Sequence, residues 1–221
     1  MGITREMSKI LSTSTAITTD AEISAYNYLS QSTASATYLN QTGYKPGMVL
    51  VTPTSVVGGT IGATGSVTFT SASAISLNGC FSSSYENYKI IFTTTSNTAT
   101  GYINMRLRSS GADISDSNYF SSVFQAAYGS TSIGNDNGGN SQTTWNRFGY
   151  YDGTADAYAA SGDILLPFVS AFTSFNVTKA RSGYGSEIAT GVHKSASSFD
   201  GITIYSSGNF TGKIRVYGYR D

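Results

Sequence analysis

The chain has 221 residues, of which 39% are hydrophobic and 12% are charged, and its 13 basic and 13 acidic residues leave no formal net charge. A nucleic-acid partner is therefore not expected, because affinity for phosphate comes largely from clustered Lys and Arg. The single Cys and single His exclude an intrachain disulfide and a zinc site built from several Cys or His ligands. The 16 Tyr, 11 Phe and 24 Gly, among many Ser and Thr, favour strands and turns over helices.

The N-terminal residues carry a helical pattern. Ile3, Met7, Ile10 and Leu11 follow the i, i+4, i+7, i+8 spacing of a narrow apolar stripe. Asp20 then precedes AEISAYNYL and is a candidate N-cap for a second short helix. Helices this short are not stable alone, so they need a surface to dock on. The stripe predicts either packing on the chain's own body or an anchor that joins the protein to a partner or to copies of itself.

No stretch of the sequence predicts insertion into a membrane. The most apolar window, residues 164–169, is far too short to span a bilayer core of about 30 Å. The N-terminus lacks the apolar region of a signal peptide, and Glu6 stands where a myristoylation motif requires Ser or Thr. We therefore expect no membrane insertion.

The periodicity changes from helical to strand-like at the KPG turn of residues 45–47. We predict an N-terminal anchoring or oligomerisation segment with short helices over residues 1–47 and one β domain over residues 48–221. Short strand patterns separated by turn signals fill the second part, and no long helical pattern interrupts them. This succession predicts an all-β, antiparallel β-sandwich of jelly-roll type and not a βαβ fold. The predicted strands include MVLVTP, SVTFT, SAISL, NYFSSVFQAAYG, TTWNRFGYY, SGDILLPFV, FTSFNVTKA, SEIATGVHK, FDGITIYSS and GKIRVYGYR.

Residues 77–107 hold the clearest alternation of apolar and polar residues. Two runs there each have an apolar inside and a polar outside, and the polar SNTATG between them suits a hairpin-like connection. The pair therefore needs a second sheet to cover its apolar face. The inward residues are Tyr88, Ile90 and Phe92 in the first run and Ile103, Met105 and Leu107 in the second.

The last run of the chain alternates in the same way. GKIRVYGYR places Ile214 and Val216 inward and Lys213, Arg215 and Tyr217 outward. We expect this run to be a strand with one face in the core.

Catalysis with a histidine base would have to use His193, the one histidine of the chain. It lies in the alternating run EIATGVHK, which is the setting of an ordinary strand histidine. Cys80 is interpreted as a small buried hydrophobic residue beside Phe81. The glycines of GGTIGATG lack the Lys-Ser/Thr of a phosphate-binding loop. We therefore predict no catalytic residues and no cofactor.

Loop carboxylates remain as candidates for chemistry. Asp152 and Asp156 lie beside several aromatic residues, and a glycosidase would need two carboxyl groups about 5–10 Å apart. Loop aspartates are common in β domains, so we favour a non-enzymatic role. Two polar loops also carry oxygen atoms of the kind that binds calcium, although neither has EF-hand spacing and solvated loop polarity is the preferred interpretation. Their residues are Asp113, Asp116 and Asn118, and Asp136, Asn137 and Asn140.

The aromatic segment WNRFGYYDGTADAY is the candidate recognition surface. Its Trp145, Tyr150, Tyr151 and Tyr158 offer broad, stiff contact area with a polar tip, which suits contact with protein or glycan. The alternative is that Trp145 and Phe148 belong to the core and that the tyrosines cover strand edges.

Four phrases of the sequence carry a resemblance to known proteins. They are ITREMSKILSTSTAITTDAEISAYNYLSQSTAS, FSSSYENYKIIF, MRLRSSGADISDSNY and FDGITIYSSGNFTGKIRVYGYR. In these phrases the chain resembles virion structural proteins of tailed phages, especially phages of cyanobacteria.

The resemblance implies a tail-fibre, receptor-binding or capsid-decorating protein, commonly a homotrimer, that is assembled in the host cytoplasm and located in the virion. It also implies an N-terminal segment that attaches to other virion proteins and a β-rich domain displayed outward, where it can meet host-surface glycan. No catalytic residue comes with the resemblance, because the shared phrases form strands.

Overall fold

The computed structural model describes residues 47–127, 129, 133–135, 139–151, 158–181 and 185–220. Within them every regular element is a β-strand, and every strand pair is antiparallel. The predicted all-β, antiparallel class is confirmed. The predicted helices and the anchor residues Ile3, Met7, Ile10 and Leu11 lie outside the described residues, and the division at residue 47 stays a prediction.

The described residues form fifteen strands in one hydrogen-bonded sheet. In chain order they are β1 (Met48–Val51), β2 (Ser55–Val57), β3 (Thr60–Ile61), β4 (Val67–Asn78), β5 (Asn87–Asn97), β6 (Gly101–Ser109), β7 (Ala112–Asp113), β8 (Tyr119–Ala127), β9 (Ile133–Asn135), β10 (Gly139–Gln142), β11 (Trp145–Tyr151), β12 (Tyr158–Leu165), β13 (Ala171–Arg181), β14 (Gly185–Ser197) and β15 (Gly201–Tyr219). This part of the chain contains no helix that could cross a membrane.

The last strand, β15, is 19 residues long and lies at the centre of the sheet. One of its edges pairs first with β6, where Ile204 faces Met105, and further along with β5, where Ile214 faces Phe92. Its other edge pairs with β4 and then with β1. The sheet therefore branches at β15. A short arm contains β6 and β11, and a long arm continues through β5, β12, β13, β14, β8 and β10.

β15 passes from one arm to the other through an irregular stretch. Its register with β4 shifts between Tyr205 and Phe210, and again before Gly212. β4 is irregular at the same level, because Ser71 has a φ of +48° and its amide donates to Oγ1 of Thr211 at 3.0 Å. Bulges bend a strand and increase its twist, so both strands change direction at this corner.

Aromatic side chains of the two arms meet in the core. The ring centroid of Trp145 in β11 lies 4.7 Å from that of Phe175 in β13 and 5.3 Å from that of Tyr119 in β8. Phe148 of β11 contacts Phe92 of β5 at 6.0 Å between centroids. The short arm therefore packs against the long arm, and the inward residues of both belong to one buried cluster.

The alternation predicted for the central strands is confirmed. At the end of the chain Ile214 and Val216 are buried, while the three residues that flank them are half-exposed. Each inward residue predicted for residues 77–107 is fully buried, namely Tyr88, Ile90, Phe92, Ile103, Met105 and Leu107.

The strand boundaries differ from the prediction in two ways. SVTFT and SAISL form one strand, β4, and FDGITIYSS and GKIRVYGYR form one strand, β15, because the corner bulges shift the register without ending the extended backbone. The Gly-rich segment before β4 and the polar segment after β6 are not among the predicted strands, yet they contain the short strands β2, β3 and β7.

Gly212 lies where β15 passes very close to β5. A Cβ atom at this position would lie 2.0 Å from the carbonyl oxygen of Thr93 and 2.8 Å from the Cα of Thr94. Both are backbone atoms, which yield only if the strand moves. Replacing Gly212 with Ala should therefore lower the free energy of unfolding by about 1–3 kcal/mol, which is the usual cost of overpacking a core. Urea denaturation measures this loss.

The matched control is Gly47→Ala, because a Cβ atom at Gly47 meets no described atom within 4 Å. This variant should keep the stability of the unaltered chain. Equal loss in both variants, or no loss in either, would show that β15 does not approach β5 this closely.

Candidate functional site

The four residues of the predicted recognition surface do not share one surface. Trp145 and Tyr151 of β11 are fully buried, and Tyr158 of β12 is only 9% exposed. Tyr150 is half-exposed. A buried ring cannot contact a ligand, so three of the four predicted residues belong to the core instead. Trp145 and Phe148 lie in the core, as the alternative interpretation predicts, but Tyr151 and Tyr158 lie there too instead of covering strand edges.

A bulge in β11 explains why Phe148 is buried as well. Trp145, Arg147, Gly149 and Tyr151 alternate along the strand and are all buried, but Phe148 is buried too. Arg147 has a φ of +65°, and the register with β6 shifts between Trp145 and Gly149. Over this stretch β11 advances four residues while β6 advances two, which lets the neighbouring side chains of Arg147 and Phe148 both enter the core.

Tyr150 forms an aromatic pair with Tyr102, which lies opposite it in β6. The ring centroids are 4.9 Å apart, the ring planes are tilted by 56°, and Tyr102 is 39% exposed. The guanidinium carbon of Arg147 lies 4.3 Å from the ring centroid of Tyr102, and Nη2 of Arg147 donates to the Tyr102 hydroxyl oxygen. Tyr150 is the part of the predicted aromatic surface that solvent reaches, and Tyr102, which is not among the predicted residues, lies exposed beside it.

Arg147 connects the tyrosine pair to a cluster of buried charges. Nζ of Lys179 lies 2.7 Å from Oε1 of Glu187, and Nη1 of Arg147 lies 3.9 Å from the same oxygen. No side chain of the three is more than 3% exposed. Lys179 and Glu187 are opposite residues of β13 and β14, whereas Arg147 comes from β11. The cluster therefore ties the short arm to the long arm.

Two buried tyrosines lie close to this cluster. Burial is the main cause that raises the pKa of Tyr158 well above its ordinary value, and the negative charge of Glu187 raises that pKa further. Burial likewise raises the pKa of Tyr151 to about 12. Both phenols are therefore neutral near physiological pH.

Lys179 provides a test of the buried cluster. Lys179→Met leaves the carboxylate of Glu187 without its nearest cation, and we expect a loss of about 3–5 kcal/mol in the free energy of unfolding, measured by urea denaturation. The double variant Lys179→Met/Glu187→Leu also removes the buried carboxylate that has lost its nearest cation. It should therefore be more stable than Lys179→Met alone, while Arg147 keeps its hydrogen bond to the Tyr102 hydroxyl.

Lys89→Met is the control for this test. Lys89 and Asp163 are 24% and 34% exposed at their side chains, so breaking their 2.9 Å ion pair should cost less than about 1 kcal/mol. Equal losses of stability in the two lysine variants would contradict the expected cost of breaking the buried Lys179–Glu187 pair. So would a double variant that is less stable than Lys179→Met.

His193 is a buried strand histidine, as predicted. Its ring contacts the rings of Tyr119 and Phe199 at centroid distances of 4.5 and 5.0 Å, and Nε2 lies 2.8 Å from Oδ1 of Asp116. Burial is the largest single influence on Asp116 and raises its pKa, but hydrogen bonds from Asn118 and His193 together outweigh it. The pKa of Asp116 is therefore below its ordinary value.

The lowered pKa of Asp116 predicts a loss of stability in acid. A carboxylate whose pKa is lower in the folded state stabilises the fold above its unfolded pKa of about 3.9, and this contribution disappears as the pH falls through the folded pKa. The side chain is 43% exposed, so solvent screening limits the effect to less than about 1 kcal/mol. We expect Asp116→Asn to be less stable than the unaltered chain near neutral pH, and the difference to shrink below about pH 4.

Urea denaturation at a series of pH values measures this difference. A gap between the two proteins that stays constant from about pH 5 to about pH 3 would mean that the Asp116 carboxylate does not stabilise the fold.

The first predicted calcium loop has other contacts in the structure. The carboxylate of Asp113 accepts hydrogen bonds from Arg108 and from Thr203, while Asp116 is held by Asn118 and His193. Over the described ranges, no three or more Asp, Glu, His and Cys side chains form a group that could hold a metal ion.

The remaining candidates fall mostly outside the described residues. Asp136 and Asn137 of the second polar loop lie there, as do the hydrolysis candidates Asp152 and Asp156, while Asn140 belongs to β10. The calcium and hydrolysis hypotheses for these residues therefore stay predictions.

No local sequence pattern predicts the burial of a further cation, Arg108. Its Nε donates to Oδ1 of Asn78 at 2.8 Å, and its Nη1 donates to Oγ1 of Thr203 at 2.8 Å and to Asp113. Its Nη2 donates to the carbonyl oxygen of Gly111. One side chain thereby joins β4, β6, β7 and β15. Asn78 and Thr203 are distant from Arg108 in sequence, which explains why the pattern of strand residues alone does not reveal them.

Cys80 is fully buried and is not part of a disulfide, as predicted. Burial raises the pKa of its thiol to about 12, so the thiolate is not formed near neutral pH. Cys80 is therefore a core residue and not a nucleophile.

Comparison with known proteins assigns no family to this arrangement. The sequence matches no protein-family model and no curated protein. A functional proposal consequently depends on the geometry described above and on the resemblance carried by the four sequence phrases.

Proposed function

We propose that the protein is a non-enzymatic structural protein of a tailed-phage virion, of the tail-fibre or adaptor type. Residues 1–47 anchor it, and residues 48–221 are displayed for assembly and for attachment to the host surface. The observation that carries the proposal is the position of the two ends of the β body. The amide of Arg220 donates to the carbonyl oxygen of Gly47 at 3.2 Å, and Met48 of β1 lies opposite Tyr219 of β15.

The chain therefore enters and leaves the β body at neighbouring points of the sheet. A segment that precedes Gly47 can hold the body at this one place and leave its faces available for display. The neutral net charge also suits a protein that works within an assembly, because such a chain gains little solubility from self-repulsion. Homotrimerisation and contact with other virion proteins through residues 1–47 belong to the same proposal.

The fold proposed for the displayed part is a β-sandwich of jelly-roll type. Two observations support it: the contacts of Trp145 and Phe148 with the long arm, and the passage of β4 and β15 through both arms. Strands that switch between layers at bulges are a known way of making the corners of packed sheets.

Two other functions remain alternatives. A capsid decoration or cement protein would use the same anchor and the same β body. A glycan-binding module, with or without depolymerase activity, is favoured by the solvent-exposed pair of Tyr102 and Tyr150, because aromatic rings with polar tips suit sugar contact. The candidate carboxylates for depolymerisation are Asp152 or Asp156.

The anchor hypothesis predicts the behaviour of variants in the apolar stripe. Replacing Ile3, Met7, Ile10 and Leu11 together with Ser removes the apolar surface by which residues 1–47 would dock. We expect the variant protein to accumulate in infected cells but to be absent from purified particles. Immunoblots of lysate and particles, made with an antibody to this chain, measure both quantities.

The matched control is Arg5→Ser/Lys9→Ser, which alters the same segment away from the stripe and should enter particles normally. Normal incorporation of the fourfold variant would refute the anchor. Imaging of the control particles with the same antibody distinguishes the tail from the capsid, and so separates the fibre role from the cement role.

A further inference from the structure

The outer face of β15 carries two cations that form no ion pair with any described residue. They are Lys213 and Arg215, which alternate with the buried Ile214 and Val216 and therefore point away from the core. Residues two apart on a strand lie about 7 Å from each other on the same face. Both side chains are half-exposed, so their stems lie along the sheet while their charges reach water.

The register of the sheet identifies the neighbours of these cations. Lys213 lies between Thr68 of β4 and Thr93 of β5. Arg215 lies opposite Ile91 of β5. Lys213 therefore has a hydroxyl group on each side, and Arg215 has a small apolar surface beside it.

The next row of residues contains a carboxylate whose charge is already matched. Tyr217 lies opposite Lys89, and Lys89 lies opposite Asp163 of β12. Nζ of Lys89 is 2.9 Å from Oδ1 of Asp163, and Tyr219 donates a hydrogen bond to the same oxygen. Because Lys89 and Asp163 cancel, the net charge of this part of the face comes from the two cations of β15.

We propose that this surface, which we call the β15 face and define as Ile91, Thr93, Lys213, Arg215 and Tyr217, binds an acidic polysaccharide. The inference rests on the proposed role in attachment to the host surface, and it specifies the chemistry of the ligand. A guanidinium binds a carboxylate through two parallel hydrogen bonds, whereas an ammonium acts as a point charge. Charge complementarity therefore selects a polymer that carries carboxylates.

The other members of the β15 face suit the sugar rings of such a polymer. The Thr93 hydroxyl both donates and accepts hydrogen bonds, as sugar hydroxyls do. Tyr217 and Ile91 offer apolar surface to the C–H groups of a sugar, and the tyrosine adds a polar tip. A neutral polysaccharide would leave Lys213 and Arg215 without partners.

Other partners match this face less well. Protein interfaces are centred on large aromatic or Arg anchors set in closely packed pockets, whereas this face is an open row of small hydroxyl residues around two cations. Nucleic acid draws its affinity from many neutralised phosphates, and two cations neutralise few of them.

The test measures binding by the full chain to two polymers, polygalacturonate, which has a carboxylate on every sugar, and dextran, which is neutral. We expect isothermal titration calorimetry at low salt to show binding of polygalacturonate that weakens as salt is added, and no binding of dextran. Lys213→Gln/Arg215→Gln should weaken binding of polygalacturonate at least about tenfold.

Lys194→Gln is the matched control. It removes one exposed cation from β14, where Nζ of Lys194 lies 3.8 Å from the ring centroid of Phe120, and it should bind polygalacturonate as the unaltered chain does. Thermal unfolding of all variants should coincide, because none of the replaced side chains is in the core.

Three results would overturn the proposal. The first is no binding of polygalacturonate, and the second is a loss of affinity in Lys194→Gln equal to that in the double variant. The third is binding of single-stranded DNA as tight as that of polygalacturonate, if the double variant also loses it. Incorporation into particles is measured separately and does not depend on this face. Failure of the anchor hypothesis would instead appear as normal incorporation of the fourfold stripe variant, so the two failures are distinguishable.

Discussion

The pairing of β15 with both arms of the sheet is the constraint on which the rest of the structure depends. Its first half places Ile202 and Ile204 in the core against β4 and β6, and its second half places Ile214 and Val216 there against β4, β1 and β5. Because β15 follows every other described strand in the chain, neither arm has its central partner until β15 has been synthesised. Folding must then close contacts between residues far apart in sequence, which is slow compared with local pairing.

Buried polar groups fix how the two arms lie against each other. Apolar contacts such as that of Trp145 with Phe175 favour burial but tolerate small shifts, because the hydrophobic effect has no direction. Hydrogen-bonded charges do have direction, and a misplaced buried charge is costly. Arg108 meets this requirement where β4, β6, β7 and β15 converge, and the Lys179–Glu187 pair with Arg147 meets it between β11 and the long arm.

The sequence predicts the strands well where alternation is regular and poorly where a bulge interrupts it. Tyr88 and Phe92 alternate cleanly with polar residues, and both are buried as expected. The assignment of Trp145 and Tyr151 to an exposed surface used residue type instead of alternation, although alternation places both on one side of β11, where they are buried. Only the burial of Phe148 beside Arg147 depends on the bulge, because the positive φ of Arg147 cannot be read from residue types.

There is a different reason why the sequence does not predict the buried charges. Arg147 and Glu187 are far apart in sequence, and each alone looks like an ordinary surface residue. Only the crossing of β11 over β13 and β14 brings them together. The outward cations of β15 are predictable, since their alternation with Ile214 is sufficient to assign their side of the sheet.

The strand that builds the core also determines how well its outer face can recognise a ligand. β15 is paired along both edges, and its inward side chains are buried, so the backbone under Lys213 and Arg215 has little freedom to move. A site on such a strand holds its groups at fixed spacing, whereas a site on loops must first be ordered by the ligand. The exposed pair of Tyr102 and Tyr150 lies on β6 and β11, the two strands of the short arm. If attachment to a charged polymer is the role of the body, the central strand is therefore the better platform, because the interactions that hold the fold together also preserve the spacing of its cations.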